Sequence, residues 1–505
     1  MERDGSTTSL WQNGMPTYIA MNNSLPTEVM DVAIIGGGIT GLATALELQK
    51  NGKKCVLIES HTIGFGTTGG TTAHVNTILD TSYYQIEKDF GKENSILVYN
   101  AAEDAINLIH HNIKEFDIDC NFEFKNGYLF AKDKKQAADL DKIVIASKAA
   151  GVHISYTSDI LIDVPFEKAA IIEQQAQFHP ARYIYGLAKA FEEAGGILVQ
   201  HCMLESLEDE SPLILNTTLG QLQAKQLVYA THIPSGINLL HFRCAPYRSY
   251  VLAVKLKNDT YPDGLIYDMD EPYHYYRTQE IDNQKYLIFG GEDHKTGHDE
   301  NAHLHFTQLE IYLNKYFDIR EVSYRWSSQF YEPSDGLAYI GLLPGHAKDV
   351  FVATGYSGNG MTYSHIAAKL LSDLILKGHS VYEKVFNPGR IKPFAGFAAF
   401  VSENADVIKE FIAKRISIEK IDSLSELKSG EGRIIKYEGN TYAVHKNENG
   451  VLHAIDPVCT HTKCIVQWNN AENSWDCPCH GARYTVDGGI LNGPTTRNLD
   501  QVEIE

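Results

Sequence analysis

Four of the eight cysteines fall close together near the C-terminus, in Cys459-Thr-His461-Thr-Lys-Cys464 and Cys477-Pro-Cys479-His480-Gly481. In a chain without secretory features such a group suggests metal before it suggests a disulfide framework. One Cys and one His from each box form the donor set of a mixed-ligand [2Fe–2S] centre. Two thiolates would hold one iron and two imidazoles the other. Neutral imidazoles leave such a cluster less negative, so it accepts an electron more readily. Their edges can also face solvent, where an electron arrives or leaves. A tetrahedral zinc site on the same Cys₂His₂ set is the alternative. It leaves two cysteines without a role.

A second set lies in residues 31–59, DVAIIGGGITGLATALELQKNGKKCVLIE. Gly36, Gly38 and Gly41 have the spacing G-x-G-x-x-G. They follow an apolar run at 32–35 and precede Leu42, Ala45, Leu46 and Leu48 at helical spacing. A further apolar run, 55–58, ends on Glu59. Strand, tight turn, helix, strand and acid in this order let a pyrophosphate sit on the helix N-terminus and place Glu59 against an adenosine ribose.

These residues need elements to hold them. The cluster boxes follow three short strands, 434–437, 441–445 and 451–455, separated by Glu438-Gly-Asn and Asn447-Glu-Asn-Gly, which predicts a small antiparallel meander. Residues 421–505 are thus a separate all-β unit. Around the glycine fingerprint, residues 197–199 and 227–230 are buried strands and 180–194 a helix. Residues 80–150 are mainly helical, with 86–113 and 134–150 each at helical spacing. From 247 to 291 the pattern changes to strands joined by polar turns, an antiparallel sheet. Residues 350–353 then form a buried strand that leads through Gly355-Tyr-Ser-Gly-Asn-Gly-Met-Thr362 into a helix over 366–376. The glycine spacing there is not that of a second dinucleotide site.

From residue 31 to about 378 the chain resembles the D-amino-acid oxidase-like family of FAD enzymes. The resemblance rests on the opening fingerprint, the Gly/Thr segment after Glu59, residues 180–194, Trp326, and Pro333-Ser-Asp-Gly-Leu-Ala-Tyr-Ile-Gly341 followed by the 355–362 loop. It implies an α/β FAD-binding Rossmann-like domain with an α+β substrate domain. The FAD-binding parts fall at about 31–80, 180–246 and 331–378, the substrate-domain parts at about 81–179 and 247–330. FAD-binding positions are expected at Gly36, Gly38, Gly41, Glu59, Thr67, Thr68, Gly355, Gly358, Gly360, Met361 and Thr362. Residues 421–505 resemble the Rieske family. That resemblance implies Cys459, His461, Cys477 and His480 as ligands, a disulfide between Cys464 and Cys479, and Gly493-Pro494 as a third loop over the cluster. In Gly481-Ala482-Arg483-Tyr484 the tyrosine of high-potential Rieske proteins is kept and the serine is absent.

Other signals are weaker. His74 lies where some relatives of the FAD family attach the flavin covalently; a hydrogen-bonding histidine is the plainer expectation. Glu292-Asp293-His294 with His298-Asp299-Glu300 is expected to be a solvated loop. Tyr273, Tyr275 and Arg277 alternate along a strand of the substrate sheet and would share one face. Amino-acid oxidases of the family carry an Arg shortly after the position of Trp326, to hold the substrate carboxylate. Here the segment is Trp326-Ser-Ser-Gln-Phe330-Tyr, without one. That points away from simple amino acids and towards amines or related compounds.

The length of 505 residues suggests about three domains. The formal charge of −20 argues against nucleic acid and anionic membranes as partners. No secretory signal or membrane-spanning run is evident, so a cytoplasmic protein is expected. Residues 1–30 read as a loosely held arm. Residues 379–420 read as a linker containing a helix, with Ser402 as its cap and Val407, Ile408, Phe411 and Ile412 as its apolar stripe. The expected function is an FAD-dependent dehydrogenase that oxidises a small organic substrate. It would pass electrons singly through the [2Fe–2S] cluster to an external acceptor, with a protein or a quinone as the exchange partner. The alternatives are a flavin oxidase with a structural or regulatory Rieske unit, and an electron-transfer component for a partner oxygenase.

Overall fold

The computed structural model describes residues 3–346, 349–390 and 418–504. Met30–Ile35 is the central strand of an eight-stranded sheet. It pairs in parallel with Cys55–Ile58 on one side and Gly220–Tyr229 on the other. Ile197–Val199 and Val350–Thr354 extend the parallel core, and Tyr339–Leu342 closes one edge in antiparallel fashion. A hairpin, Leu204–Glu208 with Leu213–Thr217, is attached beside Gly220–Tyr229. The inner strands read as near-continuous apolar runs because both faces are covered. Ile39–Lys50, Pro180–Glu193 and Gly360–Lys377 pack together on one face, with Leu42, Leu46, Ile184, Leu187, Ile366 and Leu370 in the shared core.

A nine-stranded sheet forms the second layer system. The long pair Cys244–Leu256 and Ile319–Pro333 runs antiparallel along one edge, followed by Gln284–Lys295 and Tyr275–Ile281. The sheet is larger than the sequence suggested. Glu123–Ala131, inside the region 80–150 read as mainly helical, and Lys168–Gln177, beyond it, are strands of it, and Glu123–Ala131 joins Leu265–Asp268 in parallel. The expected helix over 86–113 is two helices, Tyr83–Phe90 and Lys92–Glu115. The break falls at Gly91, whose φ of 89° a side chain would resist.

Residues 418–504 form two four-stranded sheets, with the predicted meander as Gly432–Tyr437, Asn440–Lys446 and Leu452–Ile455. Two expectations about the connecting segments change. The chain up to Arg390 belongs to the first body, because the Arg390 guanidinium bonds Asp335 at 2.6 and 2.8 Å. The expected linker helix around Ser402 lies outside the described residues. The N-terminal arm is not loosely held. Trp11 is fully buried, its indole N–H donates to the Thr71 carbonyl, and Arg3 and Asp4 are wedged between the two halves of the molecule.

Candidate functional site

One cavity of about 510 Å³ runs from the glycine fingerprint to the nine-stranded sheet. Gly38 precedes Ile39–Lys50, and no side chain caps that helix N-terminus. Apart from the Ile39 N–H, which Thr68 takes, the N–H groups of the first turn and the helix dipole are left for an anion in the cavity. Glu59 lies at the same end. It accepts from the N–H groups of Gly37 at 2.6 Å and His61 at 2.9 Å. Thr68 Oγ1 accepts from Ile39 N–H at 3.1 Å, and Thr67 donates to the Gln329 carbonyl at 2.8 Å.

Of the positions expected to meet a dinucleotide, Gly36, Gly38, Glu59, Thr67, Thr68, Gly358, Gly360 and Met361 line this cavity. Gly41, Gly355 and Thr362 stand behind it instead. A Cβ on Gly41 would fall 1.9 Å from the Gly36 carbonyl oxygen, so this glycine allows helix and turn to touch. Gly355, with φ +72°, turns the chain against Cys244 and Pro333. The fully buried Thr362 hydroxyl is bonded to Asn76 through both N–H and C=O.

At the other end of the cavity, Tyr273 and Tyr275 line the wall, with ring centroids 5.8 Å apart. Arg277, expected on the same face, does not reach it. Its guanidinium donates to the carbonyls of Thr72 and Ala73 and stacks on Trp11, so it braces the loop behind the cavity. His74 lines the cavity with Nδ1 bonded to the Tyr267 hydroxyl at 2.5 Å and Nε2 unpartnered. Burial, with the Arg277 charge nearby, holds it well below the usual histidine range. The expected solvated loop around 292–300 is partly sheet. Glu292, Asp293 and His294 lie on Gln284–Lys295, and Asp293 turns into the cavity. Burial pushes the Asp293 carboxyl up to about 7, and Asp80 also lines the cavity, with its side chain exposed. His294 bonds the Tyr250 hydroxyl and the Lys295 carbonyl, so both of its ring nitrogens are engaged.

The C-terminal boxes meet at one point. Cys459 and Cys477 are free thiols with no exposure. Contact with Cys477 outweighs burial and holds the Cys459 thiol down to about 6. His461 and His480 stand 5.0 Å apart, ring centroid to centroid, each with a buried ring nitrogen lacking a partner, Nδ1 of His461 and Nε2 of His480. Two free sulfurs and two orphaned nitrogens are what a Cys₂His₂-ligated cluster would occupy. Cys464 and Cys479 form a disulfide across the two boxes.

The imidazoles do not face open solvent as expected. The His461 Nε2–H donates to the Gly236 carbonyl at 3.0 Å, and the His241 ring sits edge-on 4.6 Å from His461. His480 is 2% exposed, packed against His241 and Phe242. The Tyr331 hydroxyl donates to the His480 carbonyl and Gln329 to that of Gly481. The segment that covers the imidazoles, residues 231–242, begins in the cavity wall with Thr231, His232, Ile233 and Ser235.

Residues 31–374 match the family described as FAD dependent oxidoreductase, DAO, and residues 418–503 match the Rieske [2Fe-2S] domain. The chain belongs to the DAO family of FAD-dependent oxidoreductases and carries a Rieske [2Fe–2S] domain at its C-terminal end. Over 97% of its length it is 33% identical to 96% of a Bacillus subtilis (strain 168) protein, YhfW, named for a Rieske 2Fe-2S iron-sulfur centre. Over 73% of its length it is 23% identical to 89% of the gamma-glutamylputrescine oxidoreductase of Escherichia coli (strain K12). Its fold matches a glycine oxidase from Geobacillus kaustophilus with a TM-score of 0.61 at 19% identity, covering 72% of this chain and all of that one. FAD and a [2Fe–2S] cluster are therefore its cofactors, and the zinc alternative falls. Among the described residues no helix is long and apolar enough to cross a membrane.

The Tyr484 hydroxyl lies 3.2 Å from Cys459 Sγ. A donor there favours the reduced, more negative cluster, so Tyr484→Phe is expected to lower its potential. A charge-assisted hydrogen bond of about 1.5–3 kcal/mol corresponds to roughly 60–130 mV for one electron, an upper bound because the oxidised cluster also accepts the bond. Redox titration of the holoprotein followed by EPR measures it, and an unchanged potential would detach Tyr484 from the cluster.

Proposed function

We propose that the protein is a dehydrogenase: a small organic substrate with a C–H next to nitrogen is oxidised at FAD, and electrons leave singly through the cluster to an external acceptor. Bound FAD supplies two-electron chemistry and can release electrons one at a time, which a one-electron cluster requires. Gly36, Gly38, Glu59, Thr67 and Thr68 would hold the dinucleotide, with Gly358, Gly360 and Met361 near the flavin. Cys459, Cys477, His461 and His480 would hold the iron.

The observation that carries the reading is the shared wall. Residues 231–235 line the cavity, and a few positions later the same segment touches both imidazoles through Gly236 and His241. A second link runs from His480 to Tyr331, whose ring meets His232 edge-on at 4.6 Å. A Rieske unit kept only for structure would not need its ligand edges turned towards the flavin cavity. Anaerobic photoreduction of the holoenzyme, which needs no substrate, tests the relay. Flavin bleaching should be followed by growth of the reduced-cluster EPR signal. A cluster that stays oxidised while the flavin bleaches would overturn it.

A further inference from the structure

One stretch of the cavity wall does not come from the body that carries the glycine fingerprint. Residues 490–496 of the cluster unit line the same cavity as Gly38, Glu59 and His61. The contacts between the two sides are specific. The Ile490 backbone hydrogen-bonds the His61 imidazole, whose ring stacks on that of Phe65 with centroids 3.8 Å apart. A Cβ on Gly66 would meet Asn492 Oδ1 at 3.7 Å, so Asn492 packs on the turn that leads into Thr67 and Thr68. Asp4 ties the sides together. Its N–H donates to the Phe65 carbonyl at 3.1 Å, and its carboxylate accepts from the Asn492 amide and from Arg483.

The same stretch reaches the cluster ligands. The Thr495 hydroxyl lies 2.6 Å from that of Thr460, which lies 3.2 Å from the Tyr484 hydroxyl, itself 3.2 Å from Cys459 Sγ. Pro494 and Thr495 are buried, and their neighbours in the stretch are half-buried at the cavity. Ile490-Leu-Asn-Gly-Pro-Thr-Thr496 contains no acid. In a chain of net charge −20 it brings backbone N–H, amide and hydroxyl groups to the cavity and no carboxylate, which suits the wall of a pyrophosphate site.

We propose that residues 490–496 of the cluster unit are part of the FAD site: they close the end of the cavity where Glu59 would take the adenosine ribose, so that bound FAD is held by both units and clamps them together. This rests on the reading of the cavity as the FAD site. Each unit then covers the other's cofactor. Residues 231–242 cover the imidazoles, and residues 490–496 cover the dinucleotide. A ligand that touches both units binds more tightly when they are docked, and by the same factor it holds them docked. The remaining FAD contacts belong to the first body, so loss of this wall speeds the exchange of FAD without emptying the site.

Exchange of bound FAD for isotope-labelled FAD, followed by mass spectrometry, tests this on the full-length holoprotein. Thr496 lines the cavity and makes none of the contacts named above, so its charge can be changed in both senses. Thr496→Asp should speed exchange about tenfold or more and Thr496→Lys should slow it, because one side chain repels a pyrophosphate and the other attracts it. Iron content and the reduced-cluster EPR signal per chain report whether the cluster unit is folded in each variant. The wild type gives a second measurement. Depleted of FAD, it should be cleaved between the two units about tenfold faster, with its iron retained, and added FAD should restore the protection. Equal cleavage with and without FAD, or loaded Thr496 variants that exchange at the wild-type rate or shift in the same direction, would overturn the shared site. Flavin content in Gly38→Val judges the cavity itself, so the wall can fail while the FAD site stands.

Discussion

A valine in place of Gly38 is expected to give a protein that folds and holds iron but contains no FAD. The three fingerprint glycines look alike in sequence and differ in what surrounds them. A Cβ on Gly38 meets only Thr68 Oγ1 at 3.0 Å, a side chain that can rotate away, and beyond it lies the cavity. A branched side chain there fills the space a pyrophosphate needs against the helix N-terminus. Gly41 is the contrast. Its added Cβ would sit 1.9 Å from the Gly36 carbonyl oxygen, which is backbone and cannot step aside. Gly36 has φ +111° and would press a side chain into the Ala230 carbonyl at 2.5 Å. Gly41→Ala is therefore expected to lower the melting temperature of the whole first body, while Gly38→Val lowers it only by the stabilisation that bound FAD supplies. Flavin absorbance and iron content per chain separate the cases. Normal flavin content in Gly38→Val would remove the fingerprint from the binding site. The cluster should survive in Gly38→Val because its ligands sit in a core of their own, built on Ile455, Val466, Trp475 and Tyr484.

Both cofactor sites were legible because their chemistry is local. Gly36 to Glu59 and the two Cys/His boxes place most donors within a few residues of a turn, where spacing reports geometry. The sheet end of the cavity was not legible in this way. Asp80, Asp293 and Tyr273 come from three separate segments, and Asp293 sits in a polar run, Glu292-Asp293-His294, that reads as a loop because strand alternation is obscured when both faces carry polar residues. Arg277 failed for the opposite reason. Strand alternation put it in step with Tyr273 and Tyr275, but its length let the guanidinium reach past the sheet to the Thr72 and Ala73 carbonyls. The covered imidazoles could not have been read from the cluster unit alone, since Gly236 and His241 lie more than 200 positions away.

Loss of the Glu472 charge is expected to undock the cluster unit without emptying either cofactor site. Three arginines and three acids are buried where the arm, the long sheet edge and the cluster unit meet. Arg3 and Arg248 face Glu472 at 3.5 and 3.8 Å, Arg248 faces Asp476 at 3.8 Å, and Arg483 pairs with Asp476 at 3.1 Å and Asp4 at 3.0 Å. The charges balance, so the desolvation each carries is offset by its neighbours. Glu472 also accepts from Ser327 N–H and hydroxyl and from Ser6 N–H, which ties all three segments to one carboxylate. Glu472→Gln keeps the shape and leaves two acids among three arginines. Breaking a buried pair from one side costs about 3–5 kcal/mol, which falls on the contact between the two bodies. The expected result is faster proteolysis between them and slower flavin-to-cluster transfer after photoreduction, with FAD and iron contents unchanged. Acid should do the same to the wild type. Burial raises Asp4 and Asp476, but Arg483 together with Arg248 and, for Asp4, Arg3 outweighs it. Hydrogen bonds from Asn492 to Asp4 and from Asn469 and Ser474 to Asp476 act in the same direction, and both acids are held below the ordinary carboxylate range. Their contribution is therefore complete above that range and is lost as pH falls through the depressed values. Replacing Glu472 and Arg248 together by methionine should restore much of the docking, because an apolar pair of similar volume carries no desolvation cost. Unchanged proteolysis and transfer in Glu472→Gln would show that the apolar contacts alone hold the cluster unit in place.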